Sequence, residues 1–209
     1  IVSDGRQSIN AITPDTSIKR NAKNDIDIKA ADKKIKIQRI NDATDEEIQE
    51  ANRKIEEAKI EAKDNIQRNS TRDQVNEAKT NGINKIENIT PATTVKSEAR
   101  QAVQNKANEQ INHIQNTPDA TNEEKDEAKR LLEISKNKTI TNINQAQTNN
   151  QVDNAKDNGM NEIATIIPAT TIKTDAKTAI DKKAEQQVTI INGNNDATDE
   201  EKAEARKLV

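Results

Sequence analysis

The feature that most constrains this chain is a period. Asp42-Ala43-Thr44-Asp45-Glu46-Glu47 returns as Asp119-Ala120-Thr121-Asn122-Glu123-Glu124 and again as Asp196-Ala197-Thr198-Asp199-Glu200-Glu201, each time 77 residues on. The same offset relates Gly5, Gly82 and Gly159, and Pro14, Pro91 and Pro168. Residues 42–118 and 119–195 share 33 identities over those 77 positions without a gap. A fixed period of this kind marks a repeat protein, in which one unit cannot hide its apolar face alone and each unit meets its neighbours. Counted from Asp42, residues 1–41 form the C-terminal part of a first repeat. Residues 42–118 and 119–195 are then complete repeats, and 196–209 begin a further one. A chain that opens at Ile1 without a methionine is expected to be a piece of a longer array.

Within one unit the spacing is helical. Thr44 with Glu47 forms a capping-box pattern, a hydroxyl and a carboxylate that can satisfy each other's backbone amides at a helix start. Ile48, Ala51, Ile55, Ala58, Ala62 and Ile66 then recur every three or four residues, one stripe of an α-helix running to about Arg68. In the next copy the stripe is Ala128, Leu132, Ser135, Thr139 and Ile143, which is more polar. Thr71 with Gln74 repeats the capping pattern before Val75, Ala78, Gly82, Ile86 and Ile89. Thr90-Pro91 ends that helix, because proline lacks an amide and disfavours helical geometry in the residue before it. Thr93 or Thr94 is expected to cap a third helix with the stripe Val95, Ala99, Ala102, Val103, Ala107, Gln110 or Ile111, and Ile114. Arg39-Ile40-Asn41, Asn116-Thr117-Pro118 and Asn192-Gly193-Asn194-Asn195 close successive units with linkers of differing stiffness. Gly82 and Gly159 read as close helix crossings inside one helix, the alternative being a helix end at Asn81-Gly82. The fold class expected is all-α: tandem antiparallel three-helix bundles in an elongated array.

Composition limits what such bundles can do. The chain has no Phe, Tyr, Trp or Cys and only 31% hydrophobic residues, so its cores must be built from isoleucine and alanine. The net charge of -3 lacks the basic excess that phosphate neutralisation needs, and without rings there is no stacking platform for bases, so nucleic acid is excluded as a partner. No apolar run approaches the ~20 residues that a membrane helix takes, so membrane insertion is not expected of these residues.

Candidate chemistry is sparse. The lone histidine, His113, is Lys36 and Ile190 in the neighbouring copies, so it reads as a surface residue. The acidic run Asp45, Glu46 and Glu47, with Asp42 beside it, reads as first-turn carboxylates facing a helix dipole rather than as a cation site. No catalytic, cofactor or metal residues are expected, no cofactor is called for, and an enzyme is not expected.

Three segments in combination carry a resemblance. They are Asp-Ala-Thr-Asp/Asn-Glu-Glu, Gln-Val-Asn/Asp-x-Ala-Lys-x-Asn-Gly (74–82 and 151–159) and Ile-x-Pro-Ala-Thr-Thr-Val/Ile-Lys (89–96 and 166–173). The chain resembles the repeat of unknown function in staphylococcal cell-wall-anchored surface proteins, the helical repeat of SasC, FmtB (Mrp) and Ebh-type adhesins. The resemblance implies helical bundles between an exported N-terminal region and an LPXTG-type sorting signal. It implies a location at the Gram-positive cell wall, and peptidoglycan anchoring only through the parent chain. Two functions follow as expectations: a stalk or spacer supporting adhesion, aggregation and biofilm, or an adhesive module binding a host matrix or plasma protein, or a like repeat on another cell. The resemblance supplies no catalytic residue.

Overall fold

The capping signals and stripes become helices at the positions the spacing predicts. The computed structural model describes residues 15–209, so Gly5 and Pro14 lie outside the described residues. Among these the chain forms eight α-helices and no strand: α1 (Ser17–Ile37), α2 (Asp45–Arg68), α3 (Arg72–Glu87), α4 (Thr94–Gln115), α5 (Asn122–Gln145), α6 (Asn149–Ala164), α7 (Thr171–Gly193) and α8 (Asp199–Lys207). The bounds of α5 and α6 are those of α2 and α3 moved by the 77-residue period. The chain falls into two compact units. One holds the residues up to Arg100 with Asn142–Ala155, the other Gln101–Thr141 with Lys156–Val209.

In the first unit α1, α2 and α3 close around one core. Ala22, Ile26, Ala30 and Ile37 of α1 meet Ala51, Ile55, Ala58, Ala62 and Ile66 of α2, and Val75 and Ile86 of α3. Ion pairs across the seams fix the directions. Asp27–Lys63 and Lys34–Glu56 run α1 against α2, whereas Asp25–Lys79 and Lys29–Glu87 run α1 alongside α3. These pairs are partly exposed and each contributes only tenths of a kcal/mol. The stabilisation comes from the buried stripe. Lys33 is buried, and its ammonium is satisfied by the Glu87 carbonyl at the end of α3, 2.6 Å away.

A period has no intrinsic origin, and packing sets it. Counting from Asp42 groups α2, α3 and α4, and cuts the observed core between α1 and α2. The core that forms begins one helix earlier, because α1 supplies the third apolar stripe that α2 and α3 share.

Gly82 lies inside α3, which runs unbroken from Arg72 to Glu87, so the unit has three helices and not four. A Cβ at Gly82 would stand 2.5 Å from Ala62 Cβ and 3.0 Å from Ile26 Cδ1. The glycine, costing about 1 kcal/mol in helix propensity, lets α3 approach α2 closely. In the second unit a Cβ at Gly159 would overlap the Thr139 side chain in the same way. That unit is more polar inside. Ser135 and Thr139 are buried where the preceding repeat has Ala58 and Ala62. Thr139 Oγ1 donates to the Ser135 carbonyl at 2.8 Å, while Ser135 Oγ has no partner. Gln110, the counterpart of Lys33, donates to the Ile166 carbonyl at 2.6 Å.

Candidate functional site

In a tandem repeat the contacts that one copy makes with the next are the candidate site. They lie within the first unit, where the α1–α2 turn faces the start of α4 and the α5–α6 turn. Thr44 and Glu47 form the expected capping box: Glu47 Oε2 accepts from Thr44 N–H at 2.9 Å, and Thr44 Oγ1 accepts from Glu47 N–H at 3.3 Å. The second carboxylate oxygen leaves the repeat. Glu47 Oε1 accepts from Thr94 N–H at 2.9 Å, Val95 N–H at 3.2 Å and the Thr94 hydroxyl at 3.2 Å. One glutamate therefore caps two helices belonging to successive copies.

The first amides of a helix have no intrahelical acceptor, so α4 begins where a carboxylate from the preceding repeat receives it. The cap expected from Thr93 or Thr94 is replaced by this one at α4. At α7 the Thr170 side chain likewise makes no capping bond. Burial pushes the Glu47 carboxyl up, but the hydrogen bonds from Thr44, Val95 and Thr94 outweigh it and hold the pKa below the ordinary glutamate value.

Asp42 joins the same contact. Its two oxygens receive Arg100 Nη1 at 2.6 Å and Nη2 at 2.9 Å, a bidentate pair with geometry that lysine cannot copy. The pair holds the Asp42 carboxyl below its usual range, chiefly through the Arg100 hydrogen bond. Lys96 is 3% exposed and donates to the carbonyls of Asn41 at 2.7 Å and Asn144 at 3.1 Å. Asn149, at the start of α6, donates its backbone N–H to Glu46 Oε2 at 3.0 Å, and its side-chain oxygen accepts from the Thr44 hydroxyl at 2.7 Å. Asp45 N–H donates to the Gln147 carbonyl at 2.8 Å.

The second unit repeats the device. Glu124 Oε2 accepts from Thr121 N–H at 2.8 Å, while Oε1 accepts from the Thr171 hydroxyl and Ile172 N–H, both at 3.2 Å. Asp119 meets Lys177 at 3.2 Å, one contact where Arg100 makes two. Asp119 follows Pro118 and has φ of 63°, the left-handed region that aspartate tolerates better than most residues. The linker that departs from its neighbours in sequence thus departs in backbone too.

The acidic run therefore faces backbone amides and an arginine. The dipole reading covers its near side and misses its far side. His113 sits exposed in the last turn of α4, away from these contacts. The residues that sequence reasoning missed are Lys96, Arg100 and Asn149. Two of them had a signal. Positions 19, 96 and 173 are all lysine, and 23, 100 and 177 are all basic, in register with aspartate at 42, 119 and 196.

Comparison with known proteins agrees with this phase. The family described as Domain of Unknown Function (DUF1542) matches three times in tandem, at residues 18–94, 95–171 and 172–209. Each match starts at the first turn of α1, α4 or α7, and the core of the first bundle likewise begins with α1. Among curated proteins the chain is 25% identical over 166 residues to a Staphylococcus aureus (strain Newman) protein named Extracellular matrix-binding protein EbhA. The alignment covers 79% of this chain and 5% of that relative, so the chain spans a small fraction of its length. No solved structure matches the chain significantly.

Proposed function

Because the chain belongs to the DUF1542 family of tandem helical repeats, we propose that it is a non-enzymatic spacer repeat of a bacterial surface protein. It sets distance and stiffness between a wall-attached end and an outward head, in support of adhesion, aggregation and biofilm. The observation that carries this is the shared cap, in which Glu47 and Glu124 each serve a helix start in their own repeat and one in the next. A free-jointed string would not need it. Ordered joints let added copies add reach in proportion to their number, and attachment to peptidoglycan belongs to other parts of the parent protein.

Spin or dye labels placed at equivalent positions one and two repeats apart test the proposal. Separations that grow linearly with narrow distributions support a spacer. Separations that grow with the square root of copy number, as for a flexible linker, refute it. The printed name of the staphylococcal relative favours a second reading, in which the repeat itself grips a matrix component. Saturable binding of this chain to immobilised matrix protein, lost on altering one helix face, would favour that reading instead.

A further inference from the structure

The dipeptide Asn-Gly stands at 81–82, 158–159 and 192–193. Gly82 and Gly159 are buried inside α3 and α6, where an added Cβ would meet Ala62 at 2.5 Å and Thr139 at 2.1 Å. Gly193 is different. It is the exposed last residue of α7, its φ is not in the left-handed region, and an added Cβ would meet nothing within 4 Å. Neither packing nor backbone geometry calls for a glycine there, and its counterparts in the preceding copies are Arg39 and Asn116. The exposure does not come from the nearness of Val209. Gln38-Arg39 and Gln115-Asn116 hold the same place in repeats that continue into the next, and all four residues are exposed.

We infer that Asn192 is a site of spontaneous deamidation, a covalent change set by the structure at one joint of the array and absent from the same place in its neighbours. The Gly193 backbone nitrogen bonds to Asn192 Cγ, and the side-chain nitrogen leaves as ammonia with the proton that the amide gives up. Water then opens the five-membered imide at one carbonyl or the other, leaving a carboxylate and a proton. A residue after asparagine that has no side chain leaves its nitrogen unhindered, so all three pairs have the reactive sequence. The fold separates them. Ring closure requires the asparagine backbone to leave helical geometry. At the end of a helix that costs almost nothing, because terminal turns fray, whereas a mid-helix glycine packed against a second helix is released only when much of the bundle opens.

The product has a partner in place. Asn192 Oδ1 accepts from Arg206 Nη1 at 2.6 Å, tying the end of α7 to α8. Conversion to aspartate sets a negative charge against that guanidinium, and a hydrogen bond between two charged groups is roughly twice as strong as a neutral one. Opening at the other carbonyl gives isoaspartate, which puts one extra atom into the backbone of the turn. Gln38 and Gln115 occupy this place behind α1 and α4 without a glycine after them, so those joints are spared.

Peptide mapping by mass spectrometry, on the intact 209-residue chain held in warm, mildly alkaline buffer, tests this. The amide-to-acid mass gain should accumulate at Asn192 about tenfold or more faster than at Asn81 and Asn158. In urea the three should react at like rates, since only the fold distinguishes them. Gly193→Ala should slow the reaction about tenfold with an unchanged circular dichroism spectrum, because the new methyl enters open space. Gln115→Asn with Asn116→Gly moves the pair behind α4, where a whole repeat follows, and should react within severalfold of Asn192. Asn192→Asp should protect the Asn194 amide from hydrogen exchange severalfold more than the wild type, a gain that Arg206→Gln removes. Reaction at Asn192 no faster than at Asn81 and Asn158 in the folded chain, the same selectivity in urea, or an inert pair at 115–116 overturns the inference, and an Asn194 amide indifferent to Asn192→Asp refutes the pairing with Arg206.

Discussion

Replacing Glu47 by alanine removes both halves of the shared cap, and the two losses can be read apart. The near half is the bond to Thr44 N–H, a capping-box contact whose loss costs about 1 kcal/mol. The far half is the set of bonds to Thr94 and Val95 N–H, which leaves the first amides of α4 without an acceptor and its dipole without a countercharge. Thr94 is exposed and Val95 half-buried, so water can reach the freed amides. The far half is therefore worth about 1–2 kcal/mol rather than the larger cost of a fully buried orphan. That is a factor of roughly 5 to 30 in the local opening equilibrium.

Hydrogen exchange resolved by residue is the assay, because the first amides of a helix are ordinarily unprotected. In the wild type Thr94 and Val95 should be protected, with Ile172 protected by Glu124 in the same manner. In Glu47→Ala the protection of Thr94 and Val95 should fall by the factor above while Ile172 is unchanged. Glu47→Gln should come close to the alanine variant, since an amide offers one acceptor oxygen where two are used. If Thr94 and Val95 exchange as fast in the wild type as in the variant, Glu47 does not join the repeats and the account of the joint fails.

Three further outcomes follow. Gly82→Ala should destabilise the first bundle by about 1–3 kcal/mol by overpacking, despite the better helix propensity of alanine, because the new methyl meets Ala62 at 2.5 Å; adding Ala62→Gly should recover much of the loss in a urea titration. Ser135→Ala should raise stability by up to about 1 kcal/mol, because it removes a buried hydroxyl with no partner and restores the alanine found at position 58; a drop in the denaturation midpoint would contradict it. Stability should be flat above the ordinary carboxylate range and fall on acidification, since Asp42, Glu47, Glu56 and Glu124 all have lowered pKa values when folded and Glu50 is held at about 2. A depressed carboxylate contributes above its unfolded pKa and loses that contribution as pH drops through the folded one, so melting temperature should decline from about pH 4.5 downward, and a rise there would refute the assignment.

What the sequence disclosed was whatever is local. The capping boxes at Thr44 and Thr71 are read from residues three apart, and both form. The stripes Ala51 to Ile66 and Ala128 to Ile143 are read from a turn-and-a-half of spacing, and they are buried. What stayed hidden depends on partners far along the chain. The phase of the unit could not be fixed by the stripes, because α4 carries the same stripe as α1 and either completes a trio on paper. The second role of Glu47 was hidden because its partners lie 47 and 48 residues on. A lysine such as Lys96, reading as one more charge on a solvated face, gives no local sign that two backbone carbonyls will bury it.

The placement of the shared cap has a consequence for how the repeats hold together. A core of isoleucine and alanine gains little area per residue, so a single bundle is a modest folding unit. The joint supplies its contacts to groups that only a folded neighbour presents, namely the free amides of a helix start and the carbonyl of Asn41. When the receiving repeat unfolds, Glu47 loses Thr94 and Val95. When the donating repeat unfolds, the start of α4 loses its cap. Each joint is thus a nearest-neighbour term that exists only when both repeats are folded, the condition under which tandem arrays gain stability with copy number. The terms are unequal: Arg100 grips Asp42 with two bonds and Lys177 holds Asp119 with one. Separation under load or denaturant should therefore begin at Asp119–Lys177, with the joint at Asp42–Arg100 yielding later.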